Sequence, residues 1–142
     1  MKNLLQQLGH KTSDFGDKTF YWHREQNPKD YWVCRTNLNC DIFSIPYEEI
    51  RNAFLHILMR KNYAGERELR VYTSKLFGEH RQGEKKRNYL YRCIETAVKE
   101  KYIGKTSITT IDYADLTCET SVDCYELTAL GRRTAAHVRL ID

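Results

Sequence analysis

The chain has few prolines and glycines and no long hydrophobic run. Its 142 residues include only two prolines and seven glycines, which excludes collagen-like, linker-rich and other low-complexity sequences. No apolar run approaches the roughly 18 residues that span a bilayer, so we expect no membrane partner. The first ten residues contain no continuous apolar stretch, which favours a cytoplasmic protein without a secretory signal.

Motifs for catalysis and metal binding are also missing. The sequence has no phosphate-binding glycine loop, no Gly-x-Ser-x-Gly and no His-Glu-x-x-His, so we expect neither enzymatic activity nor a cofactor. The five cysteines form no Cys-x-x-Cys pair of the kind that structural zinc sites use, and we expect no metal. Two alternatives remain open: a zinc site with His23 and Cys34, and a redox switch between Cys118 and Cys124 across a turn.

The apolar residues that are present suffice for one core. Hydrophobic residues make up 41% and charged residues 30% of the sequence, which is typical of a folded domain and not of a disordered chain. The formal net charge of +4 is mildly basic, which is compatible with a polyanionic partner.

Aromatic and β-branched residues concentrate on both sides of a polar segment near the N-terminus. Residues 25–29 have the composition of a turn, and each flanking segment carries a Tyr-Trp pair, with Trp22 in the first and Trp32 in the second. This pattern predicts a β-hairpin over residues 18–36.

Three later segments repeat apolar residues at helical spacing and predict helices over 46–61, 66–77 and 83–101. In the second segment the spacing puts Leu69, Tyr72 and Leu76 on one side. In the third segment Leu90 and its neighbours on the same face point inward.

After the third helix the spacing of the apolar residues changes from helical to alternating. Residues 107–113 alternate and are rich in threonine and isoleucine, which predicts a strand, and 124–127 predicts the returning strand. The polar segment 115–122 between them predicts an irregular connection. Thr128 suits the N-cap of a last helix over 129–141.

Two segments carry a resemblance to a known superfamily. Residues 88–103 read NYLYRCIETAVKEKYI, and residues 125–133 read YELTALGRR. Together they resemble the winged helix-turn-helix domains of bacterial regulators such as the PadR and MarR families. In those domains a recognition helix ends in a stretch like Lys-Glu-Lys-Gly-Tyr-Ile, and a two-stranded wing returns into Tyr-x-Leu-Thr-x-x-Gly. The resemblance spans residues 47–139.

The resemblance implies an α+β fold with three helices, a two-stranded wing and a C-terminal helix. We assign this winged-helix domain to residues 45–142, and we treat residues 1–44 as an N-terminal extension that contains the hairpin. The function that the resemblance implies is double-stranded DNA binding by a transcriptional regulator, with residues 83–101 as the recognition helix.

A polar face of the third helix is suited to reading the major groove. On a helical wheel this face lies opposite the apolar one, and arginine, lysine and asparagine can meet base edges there. The candidates for base contact are Lys85, Asn88, Tyr89 and Arg92. The candidates for phosphate contact are Arg81, Lys86, Arg87 and Arg132. The alternative interpretation is that these residues form the solvated face of a surface helix.

The predicted wing has the wrong charge for gripping phosphate. Between Lys105 and Glu126 it holds one lysine and the acidic residues Asp112, Asp115, Glu119, Asp123 and Glu126. We therefore expect the wing to avoid the DNA backbone and to be free to meet a protein. The alternative function is a protein-interaction module on the same scaffold, with the acidic wing and the aromatic hairpin as its interface.

The N-terminal extension carries candidates for a homodimer interface. Leu4, Leu5 and Leu8 form a short apolar stripe, and exposed Trp22 and Trp32 would be typical interface anchors. A dimer would match the two-fold symmetry of many DNA half-sites. The alternative is that these rings are covered within the monomer.

Overall fold

The computed structural model describes residues 10–79, 83–112 and 115–142, with side chains over these ranges except at residues 110–120. The described helices are α1 (Tyr47–Lys61), α2 (Glu66–Leu76), α3 (Glu84–Lys99) and α4 (Ala129–Ala135). The described strands are β1 (Lys11–Phe15), β2 (Lys18–Trp22), β3 (Val33–Arg35), β4 (Tyr63–Ala64), β5 (Ile103–Asp112), β6 (Asp115–Leu127) and β7 (Arg139–Ile141). The chain is therefore a mixed α+β protein.

The first three helices are confirmed at the positions that the apolar spacing predicts. Helix α1 begins after Pro46, whose extended backbone ends the preceding segment, and it ends at Asn62, which has a positive φ. Because α1 is packed against other elements on most sides, ten of its fifteen residues are buried. In α3 the predicted inner residues Leu90, Ile94 and Ala97 all lie in the core.

The short strand β4 connects α1 to α2 and joins the sheet formed by β5 and β6. The strand order is β4-β6-β5, and both pairings are antiparallel. The expectation of an irregular segment over 115–122 is wrong for most of its length, because β6 continues through it, but the pairing with β5 does shift register between Asp115 and Glu119. From Glu119 onward, backbone pairing with β5 satisfies the polar main chain whatever the side chains are.

The predicted hairpin over 18–36 is also wrong. The hairpin of the structure is formed by β1 and β2, with Phe15 opposite Lys18 and a two-residue turn between them. Gly16 takes a φ of +62 in this turn, a conformation that glycine adopts without strain and that matches the twist of a hairpin. Residues 25–29 instead include a short 3-10 turn capped by Asn27.

Strand β3 has its partner at the other end of the chain. It pairs in parallel with β7, with Val33 opposite Arg139. Thr128 caps α4 as predicted, because its Oγ1 accepts a hydrogen bond from Gly131 N at 3.0 Å. The helix predicted over 129–141 ends early, at Ala135, and its last residues form the strand beside β3.

Three buried polar side chains of α1 fix the segment that contains β3. The Glu49 carboxylate accepts hydrogen bonds from the Arg35 backbone N–H and from its guanidinium, both at 2.7 Å at their shortest. Asn52 donates to the carbonyl oxygens of Tyr31 and Val33, each at 2.9 Å. Arg51 donates to the Tyr31 carbonyl oxygen at 3.1 Å. Buried polar groups are costly unless they are paired, so this segment is held in place.

Residues on both sides of position 44 share one core. Cys34 and Ile42 belong to the same buried cluster as Phe54 and Leu90. The β3–β7 pairing also joins the N-terminal part of the chain, through Val33–Arg35, to the C-terminal strand Arg139–Ile141. The described N-terminal part is therefore packed against the helices and does not stand apart from them.

The cysteine positions exclude the alternative of a redox switch between Cys118 and Cys124 across a turn. Cys118 and Cys124 lie on the same strand, β6, six positions apart. At about 3.3 Å per residue they are separated by roughly 20 Å, far beyond the reach of a disulfide. Over the described ranges, no group of three or more His, Cys, Asp or Glu side chains is placed to hold a metal ion.

Replacing Gly131 by alanine tests the junction of α4 with the sheet. A Cβ at this position would lie 1.9 Å from the backbone oxygen of Tyr102, so the helix would have to move. We expect Gly131→Ala to lower the free energy of unfolding by about 3 kcal/mol, measured by urea denaturation. Gly83→Ala is the control, because nothing lies within 4 Å of its Cβ. Equal stability of the two variants would contradict the packing described.

Replacing Glu49 by glutamine tests the buried contacts of α1. The Glu49 side chain is 0% exposed, and the amide would place a donor against the N–H groups of Arg35. We expect a loss of about 2 kcal/mol in unfolding free energy by thermal or urea denaturation. The exposed Glu25→Gln is the matched control and should be neutral. An unchanged stability for Glu49→Gln would refute the role given to this carboxylate.

Candidate nucleic-acid interface

The outer face of α3 presents three of the predicted base-contact residues. Lys85, Asn88 and Arg92 are all exposed, and their spacing along the helix aligns them on one side. The opposite face holds Leu90 and Ile94 in the core. The burial of one face therefore fixes which side chains of α3 are offered to solvent.

The cations of this face are not neutralised by neighbouring carboxylates. Among the residues that the structure describes, the ion pairs are Arg35–Glu49, Arg70–Glu66 and Lys86–Glu79. Lys85, Arg87 and Arg92 take part in none of them. Their charges are therefore available for an anionic partner.

The prediction that Tyr89 contacts a base is wrong. Its side chain is only 1% exposed, and its hydroxyl donates to the Ile45 carbonyl oxygen at 2.9 Å. The rings of Phe15 and Phe43 cover it, with ring centroids 5.6 and 5.3 Å away. Burial raises the pKa of the Tyr89 hydroxyl. Tyr89 therefore anchors α3 to the N-terminal part of the chain.

The predicted phosphate-contact residues differ in their surroundings. Lys86 is half-buried, and its Nζ lies 2.8 Å from Glu79 Oε2, so part of its charge is already compensated. Arg87 is exposed on α3, and Arg132 is exposed on α4. Arg81 lies outside the described residues.

A basic cleft lies between α2 and α3, beside the exposed face of α3. Its volume is about 460 Å³. Its lining residues are Arg67, Arg70, Val71, Ser74, Lys75, Glu79 and Arg87. Four of these residues are cationic and one is anionic, so the cleft is suited to an anion. Arg70 is bonded to Glu66 at 3.0 Å, which leaves Arg67, Lys75 and Arg87 as the principal candidates.

Sequence reasoning missed the cations that α2 contributes to this cleft. Arg67 and Lys75 lie in a helix for which only the apolar positions were considered. A signal exists, because a wheel of residues 66–76 places Arg67, Val71 and Lys75 along one side. That this side faces the start of α3 follows only from the tertiary packing.

The C-terminal half of the same α3 face is less suited to DNA. Glu95 is exposed there, and the hairpin turn approaches the helix, with Gly16, Arg92 and Lys99 lining a shared cleft of about 300 Å³. A Cβ on Gly16 would lie 3.6 Å from Arg92 Nη1. Contact with a duplex is therefore favoured between the start of α3 and Arg92, which is the last exposed cation of this face before Glu95.

The two tryptophans predicted as dimer anchors are covered within the chain to different extents. Trp22 is 5% exposed, stacks edge-on against Tyr31 at 4.8 Å and donates to Ser13 Oγ at 2.8 Å. The prediction that Trp22 is exposed is therefore wrong. Trp32 is half-buried under the Arg51 guanidinium, 4.4 Å from its ring centroid. Leu4, Leu5 and Leu8 lie outside the described residues.

The acidic wing is described only at its base. Asp112, Asp115 and Glu119 lie among the residues whose side chains are outside the description. Asp123 and Glu126 are exposed on β6, and Asp123 accepts a hydrogen bond from Ser107 at 3.0 Å.

Comparison of the chain with protein-family models, with curated proteins and with solved structures found no significant match. None of the described helices combines the length and the apolar composition needed to cross a membrane.

Substitutions at two neighbouring positions distinguish the structural role of buried Tyr89 from the DNA-contact role predicted for exposed Asn88. Tyr89→Phe removes the hydrogen bond to Ile45, and we expect it to cost about 1 kcal/mol of stability without changing affinity for duplex DNA. Asn88→Ala should leave stability within about 0.5 kcal/mol and weaken DNA binding. Urea denaturation and fluorescence anisotropy measure the two effects. A larger loss of DNA affinity for Tyr89→Phe than for Asn88→Ala would contradict this assignment.

Proposed function

We propose that the protein is a winged-helix transcriptional regulator that binds double-stranded DNA with α3. The observation that carries this proposal is the exposed set of Lys85, Asn88 and Arg92, whose cations make no ion pair with a described residue. An unpaired cationic face beside a cationic cleft is the expected electrostatic footprint of a nucleic-acid-binding protein.

The order of the elements supports the proposed scaffold. Helices α2 and α3 follow each other as the two helices of a helix-turn-helix would, and the β5–β6 hairpin comes next as a wing would. The short β4 before α2 pairs with β6, which ties the base of the hairpin to the start of the helix pair. In this arrangement α3 is the recognition helix and α2 lies across the DNA backbone.

The side chains divide into two proposed roles. Lys85 and Arg92 can donate to guanine O6 and N7, and Asn88 can pair with adenine N6 and N7. In the cleft, Arg67 and Arg87 are suited to backbone phosphates, which position a protein on the duplex without reading its sequence. We keep Arg132 as a further phosphate contact.

Fluorescence anisotropy with a mixed-sequence duplex over a salt series tests the proposal. Each neutralised phosphate should contribute about −0.9 to the slope of log affinity against log salt. Arg87→Ala should therefore reduce the slope by about 1 and weaken binding to all sequences alike. Arg92→Ala should weaken binding to a selected operator by about tenfold or more.

Lys29→Ala is the matched control, because Lys29 is an exposed cation far along the chain from α3. It should change neither the slope nor the affinity beyond the effect of net charge. Absence of saturable binding at low salt would refute the DNA-binding proposal. Equal losses for Lys29→Ala and Arg92→Ala would show non-specific attraction instead of a defined interface.

A further inference from the structure

A second cleft lies on the other flank of α2, between α1 and α2. Its volume is about 410 Å³. Its lining residues are His56, Ile57, Arg60, Lys61, Tyr72, Lys75 and Leu76. We call it the α1–α2 groove. Apart from Lys75 it shares no lining residue with the basic cleft between α2 and α3, so the two can be tested separately.

The floor of the α1–α2 groove is apolar. Ile57 belongs to the core, Leu76 packs against it, and Tyr72 lines the same groove. Tyr72 lies on the same side of α2 as Leu69 and Leu76, but it is 37% exposed. The groove therefore offers an aliphatic or aromatic side chain a surface on which it can be removed from water.

The rim of the groove is cationic. Arg60, Lys61 and Lys75 line it, and no described aspartate or glutamate does. Lys61 Nζ lies 4.1 Å and Lys75 Nζ 5.9 Å from the centroid of the Tyr72 ring, so the charges stand directly beside the apolar floor. Burial and the charge of Arg60 lower the pKa of His56, which leaves the positive charge of the rim to its arginine and lysines.

This combination favours a peptide over a nucleic acid. A duplex backbone would use the cations but has no side chain to place on the apolar floor. An acidic segment that also carries a leucine or an aromatic residue would use both. Charge complementarity additionally disfavours a basic or neutral occupant, because it would face three cations without compensation.

We propose that the α1–α2 groove is a docking site for an acidic peptide segment of a partner protein. The segment places one aliphatic or aromatic side chain over Tyr72. Carboxylates on either side of that side chain pair with Arg60 and Lys61. The proposal goes beyond DNA binding and does not depend on it. It gives a regulator a surface for a protein partner on a helix flank that the proposed DNA contact does not use.

The test uses three short fluorescein-labelled synthetic peptides and the full chain in anisotropy titrations. The first peptide alternates glutamate with leucine and tryptophan, the second replaces its glutamates by glutamine, and the third replaces its apolar residues by serine. We expect saturable binding of the first peptide only, with the other two weaker by about tenfold or more. Raised salt should weaken binding of the first peptide.

Two variants locate the binding in the groove. Lys61→Glu should weaken the acidic peptide by about tenfold, and Tyr72→Ala should weaken it by a similar factor through the loss of the apolar floor. Lys29→Glu, which makes the same charge change at an exposed position elsewhere, should not. Circular dichroism establishes that each variant is folded. Lys85→Ala and Arg92→Ala should leave peptide binding unchanged, so failure of the DNA-binding proposal and failure of this one are distinguishable.

Several results would overturn the docking proposal. It is refuted if no peptide binds, if the glutamine peptide binds as tightly as the acidic one, or if Lys61→Glu and Lys29→Glu have equal effects. Sedimentation that shows a dimer dissociated by Lys61→Glu would make a second copy the occupant. A loss of duplex affinity in Lys61→Glu without peptide binding would assign the groove to DNA.

Discussion

The structure depends on the pairing of three polar side chains that α1 buries. Glu49, Arg51 and Asn52 lie on a helix packed on most sides. Arg51 donates to Asn52, and all three side chains also bond to the segment from Tyr31 to Arg35. Since an unpaired buried carboxylate or amide would be strongly destabilising, this segment has one favourable position. With β3 fixed there, its free edge pairs with β7, which places the last strand of the chain beside residues 33–35.

The same arrangement determines what α3 can present. The N-terminal hairpin places Phe15 on the rings of Tyr47 and Tyr89, so Tyr89 is covered and its hydroxyl is bonded to Ile45. The turn at Gly16 then approaches the outer face near Arg92. What remains open is the N-terminal half of that face, and α2 contributes further cations beside it. The two flanks of α2 thereby acquire different chemistry: one is a largely polar cationic cleft, and the other is an apolar groove with a cationic rim.

The helices could be predicted from the sequence because the spacing of residues such as Leu90 and Ile94 reports a local period. The N-terminal hairpin is predicted in the wrong place, because the aromatic residues near Trp22 and Trp32 give a stronger strand pattern than the glycine-aspartate pair that begins at Gly16. A glycine-aspartate pair between two strand-like segments is a known hairpin signature, so the sequence does contain the signal for the correct turn. The candidate site was predicted in part. A helical wheel separates the faces of α3, but only a distant segment determines that Tyr89 is covered and that Arg67 lies near Arg87.

The most direct test of the account is an NMR titration of the labelled protein with duplex DNA, following the backbone amide of every residue. The account predicts the largest shift changes along α3 from Lys85 through Asn88 to Arg92, and next to it around Arg67. It also predicts unchanged amides along the α1–α2 groove at Arg60. Changes concentrated in the groove or spread evenly over exposed cations, or the absence of any change, would contradict it.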